Sequence, residues 1–350
     1  MTPKRVLLIG SQPERMTRLR RTYRSLKSLG VNVHVMVPSQ KPEGSPRVIK
    51  GIIRYLVLTL QVALAKADIY HFYNVPDIIG FPLAWKRGVF IYDVRSPWFS
   101  SIKESIGSNM LSRIASIIEY IITISADLVI TANYPLADRA KRWHAKKVVM
   151  VPNYPPSTFG PKRARAEVRE ELGLRNEQAV LYLGKISKIE GSELLKQIIL
   201  ETCKAVENVR FVIIGDGPER DSLEAFVSKA RLLDHVLMLG WIPHNAVADY
   251  IGAVDLCILP RKHDTFSPYT APENITKAAE YLAIGKPFVA PKMGGFKDAT
   301  FPVISVEPED MGKAVIKYLN DPRPMVTFKK PSWDISHKRL EKIYRYLGAI

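Results

Sequence analysis

The chain alternates short, uniformly apolar runs with longer segments in which apolar residues recur every three to four positions. A first set of runs lies at Val6–Ile9, Val31–Val37, Ile69–Phe72, Val89–Tyr92, Leu128–Thr131 and Val148–Val151. A second set lies at Val180–Leu183, Arg210–Ile214, Val236–Leu239, Leu256–Leu259, Phe288–Ala290 and Val303–Ser305. Runs such as VLYLG and FVIIG lack polar alternation, as strands buried on both faces of a parallel sheet should. Helix-length segments between such strands signal βαβ units. The pattern breaks in NYPPSTFGPKRARAE, where prolines, a glycine and charges take over. The prediction is an α/β chain of two Rossmann-like domains, residues 1–156 and 157–332, with a cleft between their parallel sheets. A final helix follows over 333–350, with Leu340, Ile343, Tyr344 and Leu347 at helical spacing.

Composition narrows the class without changing the architecture. With 47% apolar and 24% charged residues, the chain can bury substantial cores, which excludes disordered and collagen-like classes. Arg54, Lys66, Glu119 and Asp127 interrupt the most apolar stretches, so none reads as a spanning helix. The opening MTPKRVLLIG reads as a strand rather than a secretory leader. Cys203 and Cys257 sit among apolar neighbours and suit buried thiols in a reducing cytoplasm.

Charge adds a partner. The net charge is +17, from 51 Lys and Arg against 34 Asp and Glu. Residues 1–150 hold 23 basic and 9 acidic residues, and the remainder 28 and 25, so nearly all the excess lies in the first half. Such a half attracts an anionic partner. No nucleic-acid reading motif accompanies it, so nucleic acid is not expected. An anionic membrane surface is the expected partner. Two basic clusters would meet it: Arg15, Arg18, Arg20, Arg21, Arg24 and Lys27 on a helix predicted at about 16–29, and Arg139, Lys141, Arg142, Lys146 and Lys147 around Trp143.

The candidate chemistry is concentrated in the second half. VLLIGS at 6–11 ends a strand in Gly10 and Ser11 and suits a backbone loop near a phosphate. It is not the dinucleotide fingerprint G-x-G-x-x-G, so a nicotinamide cofactor is disfavoured. Gly215–Asp216–Gly217–Pro218 reads as a tight turn. In the second half, VLYLGKISKIEGSELL, VRFVIIGDGPERDSLEAF, VLMLGWIPHNAVADYIGAVDLCILP and ITKAAEYLAIGKPFVAPKMGG follow one another. In this order they resemble the donor domain of family-4 glycosyltransferases of the GT-B fold. PERMTRLRRTYRSLKSLGVNV, ADIYHFYN and DLVITANYPLADRAKRW are similar to that family's first half, and YDVRSPW is similar to the Asp-x-Arg-x-x-Trp stretch of members that build surface polysaccharides. PSWDISHKRLEKIYRYL resembles its last helix, which crosses back onto the N-terminal domain.

The resemblance implies a donor domain at 157–332, an acceptor domain at 1–156 and a set of site residues. Lys185, after the Gly184 turn, matches the first diphosphate-binding cation. The second is usually a lysine before a glycine, where this chain has Glu190, and Lys188 is the substitute. Glu280 matches the carboxylate that accepts hydrogen bonds from the ribose hydroxyls. Its usual partner eight positions earlier is replaced by Pro272, with Glu273 one residue away, and Lys277 belongs to a Lys-x-x-Glu-Tyr pattern. Asp264 and Phe266 lie in the loop that normally meets the sugar. Gly294 and Gly295 match a loop whose amides approach the diphosphate, with Asp298 where a glutamate is usual. His71, with Asp93 and Arg95, marks the acceptor side, Arg95 offering a fork to an acceptor phosphate.

The expected activity is therefore that of a retaining glycosyltransferase without a metal or resident cofactor. It would use a UDP- or GDP-linked sugar and a glycan or lipid-linked acceptor at the cytoplasmic membrane face. A nucleotide-sugar epimerase of the same fold and a catalytically degenerate nucleotide or glycan binder are the alternatives.

Overall fold

The computed structural model describes residues 3–11, 17–38, 47–300, 302–323 and 330–350. They divide into two compact units, Met1–Asn153 with Asp334–Ile350, and Tyr154–Trp333. The first holds a six-stranded parallel sheet of β1 (Val6–Ile9), β2 (Val33–Met36), β3 (Ile69–Tyr73), β4 (Val89–Val94), β5 (Leu128–Thr131) and β6 (Val148–Met150), in the order β2-β1-β3-β4-β5-β6. Its helices are α1 (Thr17–Ser28), α2 (Arg47–Leu64), α3 (Trp98–Ile106), α4 (Asn109–Ser125) and α5 (Tyr134–Arg142).

The second unit holds β7 (Gln178–Leu183), β8 (Val209–Ile214), β9 (Val236–Gly240), β10 (Leu256–Ile258), β11 (Phe288–Pro291) and β12 (Val303–Val306), in the order β12-β11-β10-β7-β8-β9. The helices α6 (Arg165–Glu171), α7 (Ser192–Ala205), α8 (Arg220–Lys229), α9 (Val247–Ala253), α10 (Thr276–Ile284) and α11 (Met311–Asn320) cover it. Alternate residues of β7 enter separate cores: Ala179 and Leu181 join one, Val180 and Tyr182 the other. Burial on both faces is why the strand reads as an unbroken apolar run. The GT-B architecture of two parallel α/β sheets is present.

The last helix, α12 (Trp333–Tyr346), packs on the first unit, burying Leu340 and Tyr344. Polar contacts fix it there. Ser336 Oγ donates to the Pro152 carbonyl at 2.6 Å, Arg339 Nη1 to that of Met150 at 2.6 Å, and Tyr344 Oη lies 2.7 Å from His71 Nδ1. His71 Nε2 lies 3.3 Å from Asp93 Oδ2. A carboxylate only accepts, so Nε2 carries the proton and Nδ1 accepts from the tyrosine. Arg18 completes the group, its Nε 2.9 Å from both Asp93 oxygens and its Nη1 2.7 Å from the Val151 carbonyl.

These contacts correct two expectations. His71 is fully buried with both ring nitrogens occupied, so it ties α12 to β3 and β4 as a core histidine; burial lowers its pKa and keeps it neutral. The basic clusters are also smaller than the sequence suggests. Arg18 is buried in its ion pair, and Arg139 is buried against Glu119 (2.8 Å) with its guanidinium 3.9 Å from the Trp143 ring. Arg15 lies outside the described residues.

Burial alone would raise the Asp93 pKa, but Arg18 and His71 overcome it and hold the carboxyl below its ordinary value. Its stabilising charge is therefore present at neutral pH and is lost as the pH falls through and below the ordinary carboxylate range. Asp93→Ala leaves Arg18 buried without its counter-charge and should cost about 3–5 kcal/mol in urea denaturation at pH 7. A loss below about 1 kcal/mol would contradict this role for the pair.

Candidate functional site

In the second unit the sheet order reverses at β7, with β8 and β9 on one side and β10 to β12 on the other. Crevices at the carboxyl ends of such strands are where open α/β sheets bind ligands. A cavity of about 620 Å³ lies there, and Gly184, Lys185, Glu190, Arg261, Lys277 and Glu280 are among its lining residues.

The strand ends are kept bare by glycines at positive φ and, at Gly215, by a close backbone approach. Gly184 sits at φ +136°, where a Cβ would stand 3.0 Å from Lys277 Nζ. Gly215, at the same φ, would place a Cβ 1.8 Å from the Gly184 carbonyl oxygen. Side chains are excluded at both positions, so backbone faces the cavity from two neighbouring strands. Gly215 and Asp216 line it, which gives the expected tight turn a place in the site.

The cavity's electrostatics turn on Glu190. Its Oε2 lies 2.8 Å from Lys277 Nζ and its Oε1 3.4 Å from Arg261 Nη1. Asp264 Oδ2 stands 3.6 Å from the other Arg261 terminus. Lys277 starts in the first turn of α10 and is buried, which pushes its ammonium below the ordinary lysine value despite Glu190 beside it. Burial pushes the Glu190 carboxyl up, but Lys277 and Arg261 together hold it below the ordinary range. Lys185 lies at the exposed mouth.

Glu280, one turn along α10 from Lys277, is buried with a side chain only 4% exposed. His244 Nε2 donates to its Oε1 at 2.7 Å, and the His244 ring stacks on Phe159 at 5.8 Å between centroids. One carboxylate oxygen is thereby fixed while the residue still lines the cavity.

Of the expected donor-side residues, the structure gathers Lys185, Gly184, Lys277 and Glu280 in one place. Others it does not bring there. Lys188 is exposed and outside the cavity lining, and Arg261 is the additional cation instead. Glu273 is half-buried and also outside the lining, its carboxyl pushed up by burial. Gly295 donates its N–H to the Thr270 carbonyl at 2.8 Å, and a Cβ on Gly294 would stand 2.3 Å from that same oxygen, so this loop closes on residues 267–270. Asp264 Oδ1 accepts from Phe266 N at 2.9 Å and holds a turn.

In the first unit, the Gly10 N–H donates to the Met36 carbonyl at 3.1 Å and Ser11 Oγ to that of Val75 at 2.6 Å, so both are engaged within their own sheet edge. Arg95 follows β4, half-buried, its backbone N–H held by Asn74 Oδ1 at 3.0 Å. Sequence reasoning missed Arg261, His244 and Trp241, which all line the cavity from loops after β9 and β10. The only available signal was their position just after predicted strands.

Residues 177–321 match the family model described as Glycosyl transferases group 1. Most of the second unit is thus similar to group 1 glycosyltransferases. Among curated proteins, the chain is 30% identical over 165 residues to the alpha-D-kanosaminyltransferase of Streptomyces kanamyceticus, covering 45% of this chain and 40% of that protein. It is 28% identical over 210 residues to a phosphatidylinositol N-acetylglucosaminyltransferase component from Arabidopsis thaliana, covering 57% and 44%. The matches therefore span less than half the length of these relatives. Among solved structures, sucrose-phosphate synthase from Thermosynechococcus elongatus superposes with a TM-score of 0.75 at 18% identity, covering 99% of each chain. Anabaena HepE in complex with UDP superposes with a TM-score of 0.68 at 16% identity, covering 99% and 100%. At such identities the superpositions show the shared GT-B fold.

Within the second unit, Glu190→Gln removes the anion between two cations and leaves Lys277 buried beside a repelling Arg261. Glu190 is partly exposed, so the cost should be about 1–3 kcal/mol in urea denaturation. A variant as stable as the wild type would mean the pair does not hold the cavity wall together.

Proposed function

We propose that the protein is a retaining, metal-independent glycosyltransferase of family 4. In this reading it moves a sugar from a UDP- or GDP-linked donor to a glycan or lipid-linked acceptor at the cytoplasmic face of a membrane. The observation that carries the reading is the meeting of Lys185, Arg261 and Lys277 with the buried carboxylate of Glu280 in one cavity at the switch point of the sheet. A nucleoside diphosphate needs both: cations for the phosphates and a fixed acceptor for the ribose hydroxyls. The group 1 match and the UDP bound by Anabaena HepE support the donor class. The transferase names of the two curated relatives support the reaction type.

In the reaction, the bond between the sugar's anomeric carbon and the phosphate oxygen breaks as the acceptor oxygen bonds to that carbon on the same face. The acceptor's proton passes to the departing diphosphate, so no protein base is required. Lys185, Arg261 and Lys277 stabilise the negative charge that grows on the leaving group. Glu280, oriented by His244, holds the ribose. Glu190 acts against binding, because the diphosphate must share with it the two cations it pairs with. Residues 1–156 supply the acceptor side, where Arg95 is the residue suited to an acceptor phosphate.

The first test is a thermal-shift titration with UDP, GDP and ADP. The wild type should be stabilised by one nucleotide in preference to the others, and Glu280→Ala should lose that shift. No shift with any nucleotide would sink the donor-site reading.

A second test uses the same ligand with Glu190→Gln. Although less stable, this variant should bind the diphosphate on the order of tenfold more tightly in calorimetry, since a like charge near the phosphates is gone. Weaker binding would mean that Glu190 positions the cations rather than competing for them. Glu190 also favours a second reading, a nucleotide binder without turnover. Tight nucleotide binding by the wild type with no release of diphosphate in the presence of any acceptor would select it.

A further inference from the structure

Building on the donor-site reading above, we infer that Tyr182 is a positioning residue for the diphosphate. Its hydroxyl fixes the turn that carries Lys185, and its ring holds the Lys277 ammonium in place when Glu190 gives it up. Tyr182 is the last residue that β7 sends into the core of Val180, Phe211 and Ile213, and it is 1% exposed. A phenylalanine would fill that volume. The hydroxyl adds something that volume does not, because it donates to the Lys185 carbonyl at 2.8 Å. Burial and the charge of Glu190 push the phenol's pKa up, so the oxygen keeps the proton it donates. On either side of that carbonyl, the Gly184 N–H donates to the Ile214 carbonyl at 2.9 Å and the Ile186 N–H to that of Asp216 at 3.0 Å. Those two bonds tie the turn to the end of β8. The tyrosine ties it to β7 itself, across a corner made by Gly184 at φ +136°. Glycine is the freest point of a backbone, so a bond spanning it removes the turn's main freedom.

The ring meets the second cation. Lys277 Nζ lies over it, 5.0 Å from its centroid, and 2.8 Å from Glu190 Oε2. The buried ammonium thus has two attractive neighbours of different kinds. Glu190 competes with an incoming diphosphate, since both are anions drawn to one ammonium. The ring is neutral and does not compete. Its electron-rich face attracts a cation within about 6 Å, and more strongly where water is excluded. A Cβ on Gly184 would stand 3.0 Å from the same nitrogen, so the bare corner that the hydroxyl fixes also gives the ammonium room. One side chain therefore touches both cation-bearing segments, the turn after β7 and the first turn of α10, and neither contact passes through Glu190. Tyr182 acts on the phosphates through Lys185 and Lys277 alone.

The test is isothermal titration calorimetry of the full chain with inorganic pyrophosphate, UDP and GDP, and with the nucleosides uridine and guanosine. The proteins are the wild type, Tyr182→Phe and Tyr182→Leu. Phenylalanine keeps the ring and its packing, so circular dichroism and the melting temperature should stay close to those of the wild type. It should bind pyrophosphate about threefold to tenfold more weakly, through loss of one hydrogen bond. Leucine removes the ring as well and should weaken binding by a further factor on the order of ten. The nucleosides carry no phosphate and should not distinguish the three proteins. Unchanged pyrophosphate binding in both variants would overturn the inference while the donor site stands. Nucleoside binding weakened by the same factor as pyrophosphate binding would also overturn it and leave Tyr182 a packing residue. A wild type that binds neither pyrophosphate nor either nucleotide would overturn the donor-site reading and this inference with it.

Discussion

Lys277 cannot be buried under the end of β7 without an anion beside it, and Glu190 is that anion. The rest of the candidate site follows from this pairing. The ammonium stands 3.0 Å from where a Cβ on Gly184 would be, and the φ of +136° there favours glycine, so the strand end stays bare beside the cavity. Glu190 in turn draws Arg261 in from the loop after β10, which brings a second cation to the same wall. Desolvation of a lone lysine here would cost several kcal/mol, and the carboxylate offsets it only while both stay in place. The arrangement is therefore stable when empty and charged for an anionic ligand at once. In the proposed reading, the residue that stabilises this wall also competes with a bound diphosphate for its two cations.

The first unit solves a related problem with a different outcome. Arg18, Asp93, His71 and Tyr344 form a chain of buried polar groups that ends on α12. The chain's effect is to fix the last helix on strands that come far earlier in the sequence. Buried charges can thus hold a joint as well as line a site.

How much of this was legible in the sequence depends on where the information resides. Central strands were readable because burial on both faces leaves uninterrupted apolar runs such as VLYL and FVII, and edge strands such as β2, where His34 and Val35 are exposed, from their β-branched residues and their spacing along the chain. Lys277 and Glu280 were readable through the resemblance of ITKAAEYLAIGKP to the donor domain of family-4 glycosyltransferases. Arg261 and His244 were not, since each reaches the cavity from a loop whose position is set by strand order rather than by local pattern. Arg18 looked like part of a solvated basic face because its position on α1 gives no hint that Asp93, seventy-five residues later, lies beneath it. Lys188 looked like the second cation because it is near in sequence, while the residue near in space was Arg261.

The central claim is that the cavity between Gly184 and Glu280 receives a nucleoside diphosphate. A crystal structure of the wild-type chain grown with the nucleotide that stabilises it most tests this directly. The account predicts diphosphate density within hydrogen-bonding distance of Lys277, Arg261 and Lys185, ribose hydroxyls on Glu280, and Glu190 moved away from at least one of its two cations. Nucleotide bound elsewhere on the chain, with the Glu190–Lys277 pair unbroken and the cavity empty, would contradict it.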